Sequence, residues 1–185
     1  MIRKAAMLAA LTLAGCAGGE GPTGATALSN ATAVADRDAG YLQFAMLQYH
    51  NETRRAVGVA PLVWDETLAA HALGYARELA RTRRFEHARQ PNGPGREGEN
   101  LFTGTRDGYA FDEMVGFWIA EKKDFVNRPV PDVSRTGRGE DVAHYTQIVW
   151  RTTTRVGCAL ASSKTDDYLV CRYAPAGNVI GLKAF

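Results

Sequence analysis

A chain of 185 residues with 45% apolar and 23% charged side chains has the composition of one ordinary globular domain with a buried core, which excludes a disordered, collagen-like or multi-span protein. A formal net charge of +2 is too near balance for a nucleic-acid partner, which needs basic residues concentrated in one footprint. The basic residues that do cluster, Arg77, Arg81, Arg83 and Arg84, recur at helical spacing and read as a solvated helix face.

In chain order, residues 1–15 read as an export signal: Arg3 and Lys4 precede an apolar run from Ala5 to Ala14 that is roughly half the ~20 residues a membrane-spanning helix needs. The run closes on Leu13, Ala14, Gly15 and Cys16, which resembles the lipobox of bacterial lipoproteins. The resemblance implies cleavage before Cys16, lipidation of that cysteine and a membrane partner. Ala17 in place of aspartate implies the outer membrane if the cell is Gram-negative. Ordinary signal cleavage and release as an extracellular protein is the alternative. Residues 16–36, rich in Gly, Ala and Thr, form a flexible linker with a reach on the order of 25 Å. Setting Cys16 aside leaves Cys158 and Cys171 as an even pair in an exported chain, expected to close a disulfide. Such a loop stabilises a fold by roughly 3 kcal/mol.

The globular domain spans residues 37–185. A first helix is predicted from Arg37 to Val57, with Leu42, Ala45, Met46 and Tyr49 on one face and Gly58 and Pro61 as the stop. Asp65 is placed to cap a second helix running to about Arg83, whose buried face carries Leu68, Ala72, Tyr75, Ala76 and Leu79. A Gly/Pro-rich loop from Arg89 to Asn100 follows. A third helix is predicted from Gly108 to Phe125 with Phe111, Met114, Val115 and Trp118 as its apolar stripe, then an irregular segment from Asn127 to Asp141. Tyr145 to Trp150 reads as an apolar strand leading to Cys158, with His144 at its mouth, and the runs Arg155–Ala161 and Tyr168–Tyr173 read as a hairpin. Helices flanking a small antiparallel sheet give an α+β layered sandwich.

One residue breaks the pattern of the third helix. Continuing the stripe through Phe111, Met114 and Trp118 brings Glu121 to the apolar side, where an ionised carboxylate is costly unless it is paired, hydrogen-bonded or on a metal. His87 stands just before the Gly/Pro loop, Glu99 between Gly98 and Asn100, and His144 opens its apolar run. Two histidines and two glutamates suit Zn²⁺ or another divalent cation. The sequence has no HExxH and no CxxC, so the four must converge from separate elements, and the same four side chains can equally satisfy one another by hydrogen bonding. The four serines, Ser29, Ser134, Ser162 and Ser163, include none in a G-x-S-x-G turn, which argues against serine hydrolysis.

Four segments carry a family resemblance: His50 to Ala76, Gly98 to Phe102 ("GENLF"), His144 to Cys158 ("HYTQIVWRTTTRVGC") and Tyr168 to Gly181 ("YLVCRYAPAGNVIG"). In this order they resemble the CAP superfamily, which comprises the cysteine-rich secretory, antigen 5 and pathogenesis-related 1 proteins. The resemblance implies a three-layer α-β-α sandwich with a central cleft. It places the family's cleft tetrad, which binds Zn²⁺ or another divalent cation in several members, on His87, Glu99, Glu121 and His144. Cys158 and Cys171 fall on the pair that ties the last two strands. Arg172 stands where asparagine is frequent, and the segment from Asn127 to Asp141 has no cysteine. Relatives act variously as sterol or lipid carriers, defence proteins and toxins, so the fold leaves the ligand open. The expectation is an exported, membrane-anchored binding protein whose cleft takes a small-molecule, lipid or envelope ligand. The alternative is a metal-dependent peptidase or esterase in which Glu99 or Glu121 acts as general base toward a metal-bound water.

Overall fold

The computed structural model describes residues 38–91, 93 and 95–185. The export signal, Cys16 and the linker lie outside the described residues. Helix α1 (Ala39–Arg55) opens at Asp38, whose carboxylate accepts from the Gly40 amide at 2.7 Å, and the chain turns away at Gly58 with φ of 71°, a conformation that glycine adopts without cost. Helix α2 (Glu66–Thr82) is capped as predicted, the Asp65 carboxylate accepting from the amides of Thr67 and Leu68. It ends at Arg83, which is left-handed, so Arg83 is not on the helix face that the spacing of the arginines suggests.

The third helix is shorter than predicted. Helix α3 (Phe111–Ala120) begins where the Glu113 carboxylate accepts from the Ala110 amide at 2.8 Å, and after Ala120 the chain tightens into a 3₁₀ turn over Glu121–Asp124. Tyr145 to Ile148 is not a strand. A 3₁₀ turn (Gly139–Val142) runs into a short helix α4 (Ala143–Ile148). Tyr145, Ile148 and Val149, all buried, have the i, i+3, i+4 spacing of a helix face rather than the alternation of a strand. Among the described residues no helix is long and apolar enough to cross a membrane.

The predicted hairpin is present as β3 (Arg155–Ser162) and β4 (Asp166–Ala174). Two strands join it that the sequence did not announce. Strand β1 (Val63–Trp64) pairs parallel with β3, and β2 (Gly98–Thr105) pairs antiparallel with β4 along its whole length, giving the order β1-β3-β4-β2. The sheet is therefore antiparallel in its three long strands, with one short parallel strand at an edge.

The side-chain alternation of β4 divides the core into two layers. Leu169, Cys171 and Tyr173 pack with α1, α3 and α4 around Met46, Phe111, Met114, Trp118, Ile148 and Trp150. Tyr168 and Val170 face the other way, onto Ala72, Ala76 and Leu79 of α2. This is the α-β-α sandwich. Gly157 sets the distance on the α2 side: a Cβ there would overlap the backbone of Ala69 and Asp65, so the first turn of α2 rests directly on β3. Cys158 and Cys171 face each other across β3 and β4 and form a disulfide.

Two buried polar side chains lock the layer that carries α4. Arg54 donates to the carbonyls of Ala60 (2.6 Å), Ile148 (2.8 Å), Trp150 (2.9 Å) and Thr153 (2.8 Å), and so satisfies the last carbonyl of α4 and ties the turn after it to the loop that follows α1. His50 donates through Nδ1 to the Met46 carbonyl (2.7 Å) and accepts at Nε2 from the Tyr173 hydroxyl (2.8 Å). Burial holds its pKa down to about 4, and the neutral ring is the form that can both donate and accept.

Candidate functional site

Strand β2 is an edge of the sheet, and its first residues, Gly98, Glu99 and Asn100, form one wall of a cleft of about 410 Å³. His87 comes from the segment after α2, His144 and Gln147 from α4, Glu140 from the preceding 3₁₀ turn, and Gly177 and Asn178 from the C-terminal segment. The elements converge because their backbones are pinned to one another. The Asn100 amide donates to the His144 carbonyl at 3.2 Å. Asn178 donates to the Ala143 carbonyl at 2.9 Å and accepts from the Thr146 hydroxyl at 2.6 Å. Gln147 accepts from the Gly177 amide at 2.9 Å. A Cβ at either Gly98 or Gly177 would overlap the Gln147 side chain, so Gln147 lies directly against both glycine backbones.

The four residues expected at the site form two His–Glu pairs. Glu121, at the first position of its 3₁₀ turn, accepts from His144 Nδ1 at 2.6 Å and, through its other oxygen, from the Tyr145 amide at 3.0 Å. That second bond satisfies one of the free amides at the start of α4. Trp118 stacks on the His144 ring with centroids 5.9 Å apart. Glu99 accepts from His87 Nδ1 at 2.7 Å and from the Ala88 amide at 3.0 Å through one oxygen, while its other oxygen lies 2.9 Å from Arg172 Nη2. His87, Glu99 and His144 line the cleft; Glu121 stands behind His144 and does not.

An ionised carboxylate only accepts, so each ring donates through Nδ1, and in the neutral ring Nε2 is the nitrogen left with a lone pair. Imidazoles that bind metals are held in this way, the distal nitrogen donating to a carboxylate that fixes tautomer and orientation. If a divalent cation were bound here, His87 and His144 would be the residues to hold it, through Nε2. Among the described residues no group of three or more His, Cys, Asp or Glu side chains converges on one metal position. In this geometry each glutamate accepts from the imidazole beside it.

Several cleft residues were not legible in the sequence. Glu140 lines the cleft from a 3₁₀ turn in a segment whose sequence reads as irregular, and Arg96 and Glu97 also line it. A second basin of about 620 Å³ shares Arg96, Glu97, Ala176 and Gly177 and reaches the ion pair of Asp65 and Arg155. An apolar pocket of about 460 Å³ lies elsewhere, between α1 and α2, lined by Leu42, Trp64, Leu73, Phe111 and Leu160. Arg172 also bears on the cleft, its guanidinium lying 2.9 Å from the Glu99 carboxylate.

Comparison with known proteins agrees with this architecture. Residues 47–173 match the family model for CAP, the cysteine-rich secretory protein family. The chain is 40% identical over 136 residues to pathogenesis-related protein 1C of Nicotiana tabacum, covering 73% of this chain and 76% of that protein. It is 36% identical over 140 residues to pathogenesis-related protein 1 of Arabidopsis thaliana, covering 75% and 80%. Its fold is similar to the crystal structure of NaASP2 with Zn²⁺, with a TM-score of 0.65, 24% identity and coverage of 78% of this chain and 84% of that one. It is also similar to that of hookworm platelet inhibitor, with a TM-score of 0.62, 16% identity and coverage of 80% and 77%.

Proposed function

Because the chain belongs to the cysteine-rich secretory protein family, we propose that it is an exported binding protein whose cleft between His87 and His144 takes a ligand, with a divalent cation such as Zn²⁺ as the bridging element. The observation that carries this reading is the fixing of both imidazoles through Nδ1 by carboxylates. Both rings line one cleft, and with Nδ1 engaged the neutral rings are left to accept a cation, or the hydroxyl and amide donors of a ligand, through Nε2. A bound cation would act there as a Lewis acid that ties a ligand oxygen to the two rings. The NaASP2 structure, alike in fold, was determined with Zn²⁺, which makes Zn²⁺ the first cation to test.

Binding is favoured over hydrolysis because Glu121 does not line the cleft and Glu99 is already paired with His87 and Arg172. Both oxygens of Glu121 accept hydrogen bonds, and Glu99 divides its oxygens between His87 and Arg172. A general base needs an oxygen within reach of the attacking water. The cleft, rather than the apolar pocket between α1 and α2, is the chosen site because it alone of the two gathers titratable groups from separate elements.

Cys16 is the proposed point of attachment to the membrane, in the outer membrane if the cell is Gram-negative, and the residues from Ala17 to Asp36 are the tether. Mass spectrometry of the membrane-extracted protein is expected to find Cys16 as an acylated N-terminus; an unmodified N-terminus beyond it would remove the anchor. For the cleft, calorimetric titration of the full chain with Zn²⁺ is expected to give one site per chain that His144→Ala abolishes. Equal binding by wild type and His144→Ala would defeat the assignment.

A further inference from the structure

Arg172 projects from β4 on the α2 side of the sheet, directly across from Glu99 in the β2–β4 register. Its side chain is 7% exposed. The guanidinium carbon lies 5.4 Å from the centroid of the Tyr75 ring, and the two terminal nitrogens reach different carboxylates: Nη2 is 2.9 Å from Glu99, and Nη1 is 3.5 Å from Glu97. Glu97 in turn sits 2.6 Å from His71 Nδ1. A continuous row results, in the order His71, Glu97, Arg172, Glu99, His87, with one buried cation between two carboxylates that each hold an imidazole.

The row is not an efficient way to stabilise a fold. Arg172 Nε is buried with no hydrogen-bond partner, and the contact at the second Glu99 oxygen is close enough for an ion pair but is not aligned as a hydrogen bond. Desolvating a charge network often costs as much as it returns, and an apolar side chain under Tyr75 would serve packing equally well. What the guanidinium does provide is direction. With one oxygen engaged by Arg172, the Glu99 carboxylate is turned so that the other faces His87 Nδ1 and the Ala88 amide.

We propose that Arg172 is a positioning residue of the cleft: it holds Glu99 so that His87 keeps its proton on Nδ1 and offers Nε2 to the ligand, and it couples this pair to a second oriented pair, His71–Glu97. Its charge also makes Glu99 an orienting group rather than a direct metal ligand. The use of this arrangement rests on the binding reading above, but the arrangement itself is testable without any ligand.

The test is the ¹⁵N spectrum of the imidazoles in the full chain, first free of metal. In wild type His71, His87 and His144 are expected to carry the proton on Nδ1. In Arg172→Gln, the ratio of the Nδ1–H to the Nε2–H form should fall about tenfold at His87, the effect of losing one favourable hydrogen-bond geometry. It should fall at His71 as well, while His144 on Glu121 stays as in wild type. The double variant Arg172→Gln with Glu97→Gln removes one cation and one anion, so it keeps the charge of the row and is the variant to use if the single one does not fold; the same loss is expected at His87. A folded variant of either kind with wild-type His87 would overturn the proposal. Addition of Zn²⁺ to wild type separates the two ideas: rings that ignore Zn²⁺ would defeat the cation reading, while the metal-free spectra still decide the role of Arg172.

Discussion

Replacing Glu121 with glutamine changes one atom and tests why that carboxylate is where it is. In the native geometry both of its oxygens accept, from His144 Nδ1 at 2.6 Å and from the Tyr145 amide at 3.0 Å. Glutamine keeps one oxygen and puts an NH₂ group in place of the other. If the oxygen stays on the Tyr145 amide, which is fixed in the backbone of α4, the NH₂ faces His144 Nδ1. Two donors then meet unless the imidazole moves its proton to Nε2. Loss of two charge-assisted bonds in favour of two neutral ones should cost about 1–3 kcal/mol of stability, which leaves a folded protein. The larger effect is on the cleft: Nε2 becomes a donor and loses its lone pair. Divalent-cation affinity should fall about 10- to 100-fold, the usual consequence of altering a residue that orients a metal-bound histidine. Thermal unfolding and calorimetric Zn²⁺ titration of the same preparation separate the two effects. A Glu121→Gln chain that binds Zn²⁺ with wild-type affinity would refute the orienting role.

Other outcomes follow from the same geometry. Gly157→Ala would force a methyl group into the backbone of Ala69 and Asp65; overpacking of this kind should cost about 1–3 kcal/mol, and a melting temperature equal to wild type would show that α2 does not rest on β3. His50 gives stability a pH dependence of known sign. Its folded pKa, about 4, lies below the ordinary 6.5 because burial disfavours the charged ring. The unfolded chain therefore takes up a proton first as pH falls, and stability is lost between about pH 6.5 and 4, by roughly 3 kcal/mol in all. Denaturant titrations across that window should show this slope in wild type and not in His50→Gln; the same slope in both would assign it to other groups.

Much of the fold was legible because its signals are local. The Asp65 cap, the apolar stripe on α2, the stop at Gly58 and the β3–β4 hairpin each depend on residues within a few positions of one another. Strand β2 was not legible: Gly98, Glu99, Asn100 and Gly104 are poor strand formers, and the strand exists because β4 presents a full edge for it to pair with. Helix α4 was misread as a strand because six residues are too few for a helical period to outweigh an apolar run ending at Trp150. In the site, Glu121 could be found by its position on an apolar stripe and His87, Glu99 and His144 by their places beside turns and an apolar run, while the family resemblance placed the four in one cleft. That the four would divide into two pairs, one of them tied to Arg172, depends on the β2–β4 register, which no local pattern encodes.

We propose that His87 and His144 offer their Nε2 atoms to one shared cation or ligand. Following the ¹⁵N resonances of both rings while Zn²⁺ is added to the full chain tests it most directly. The Nε2 signals of His87 and His144 should shift together at one equivalent, with Nδ1 of each still protonated and His50 unmoved. A shift at only one ring, or metal bound through Nδ1, would contradict the shared site.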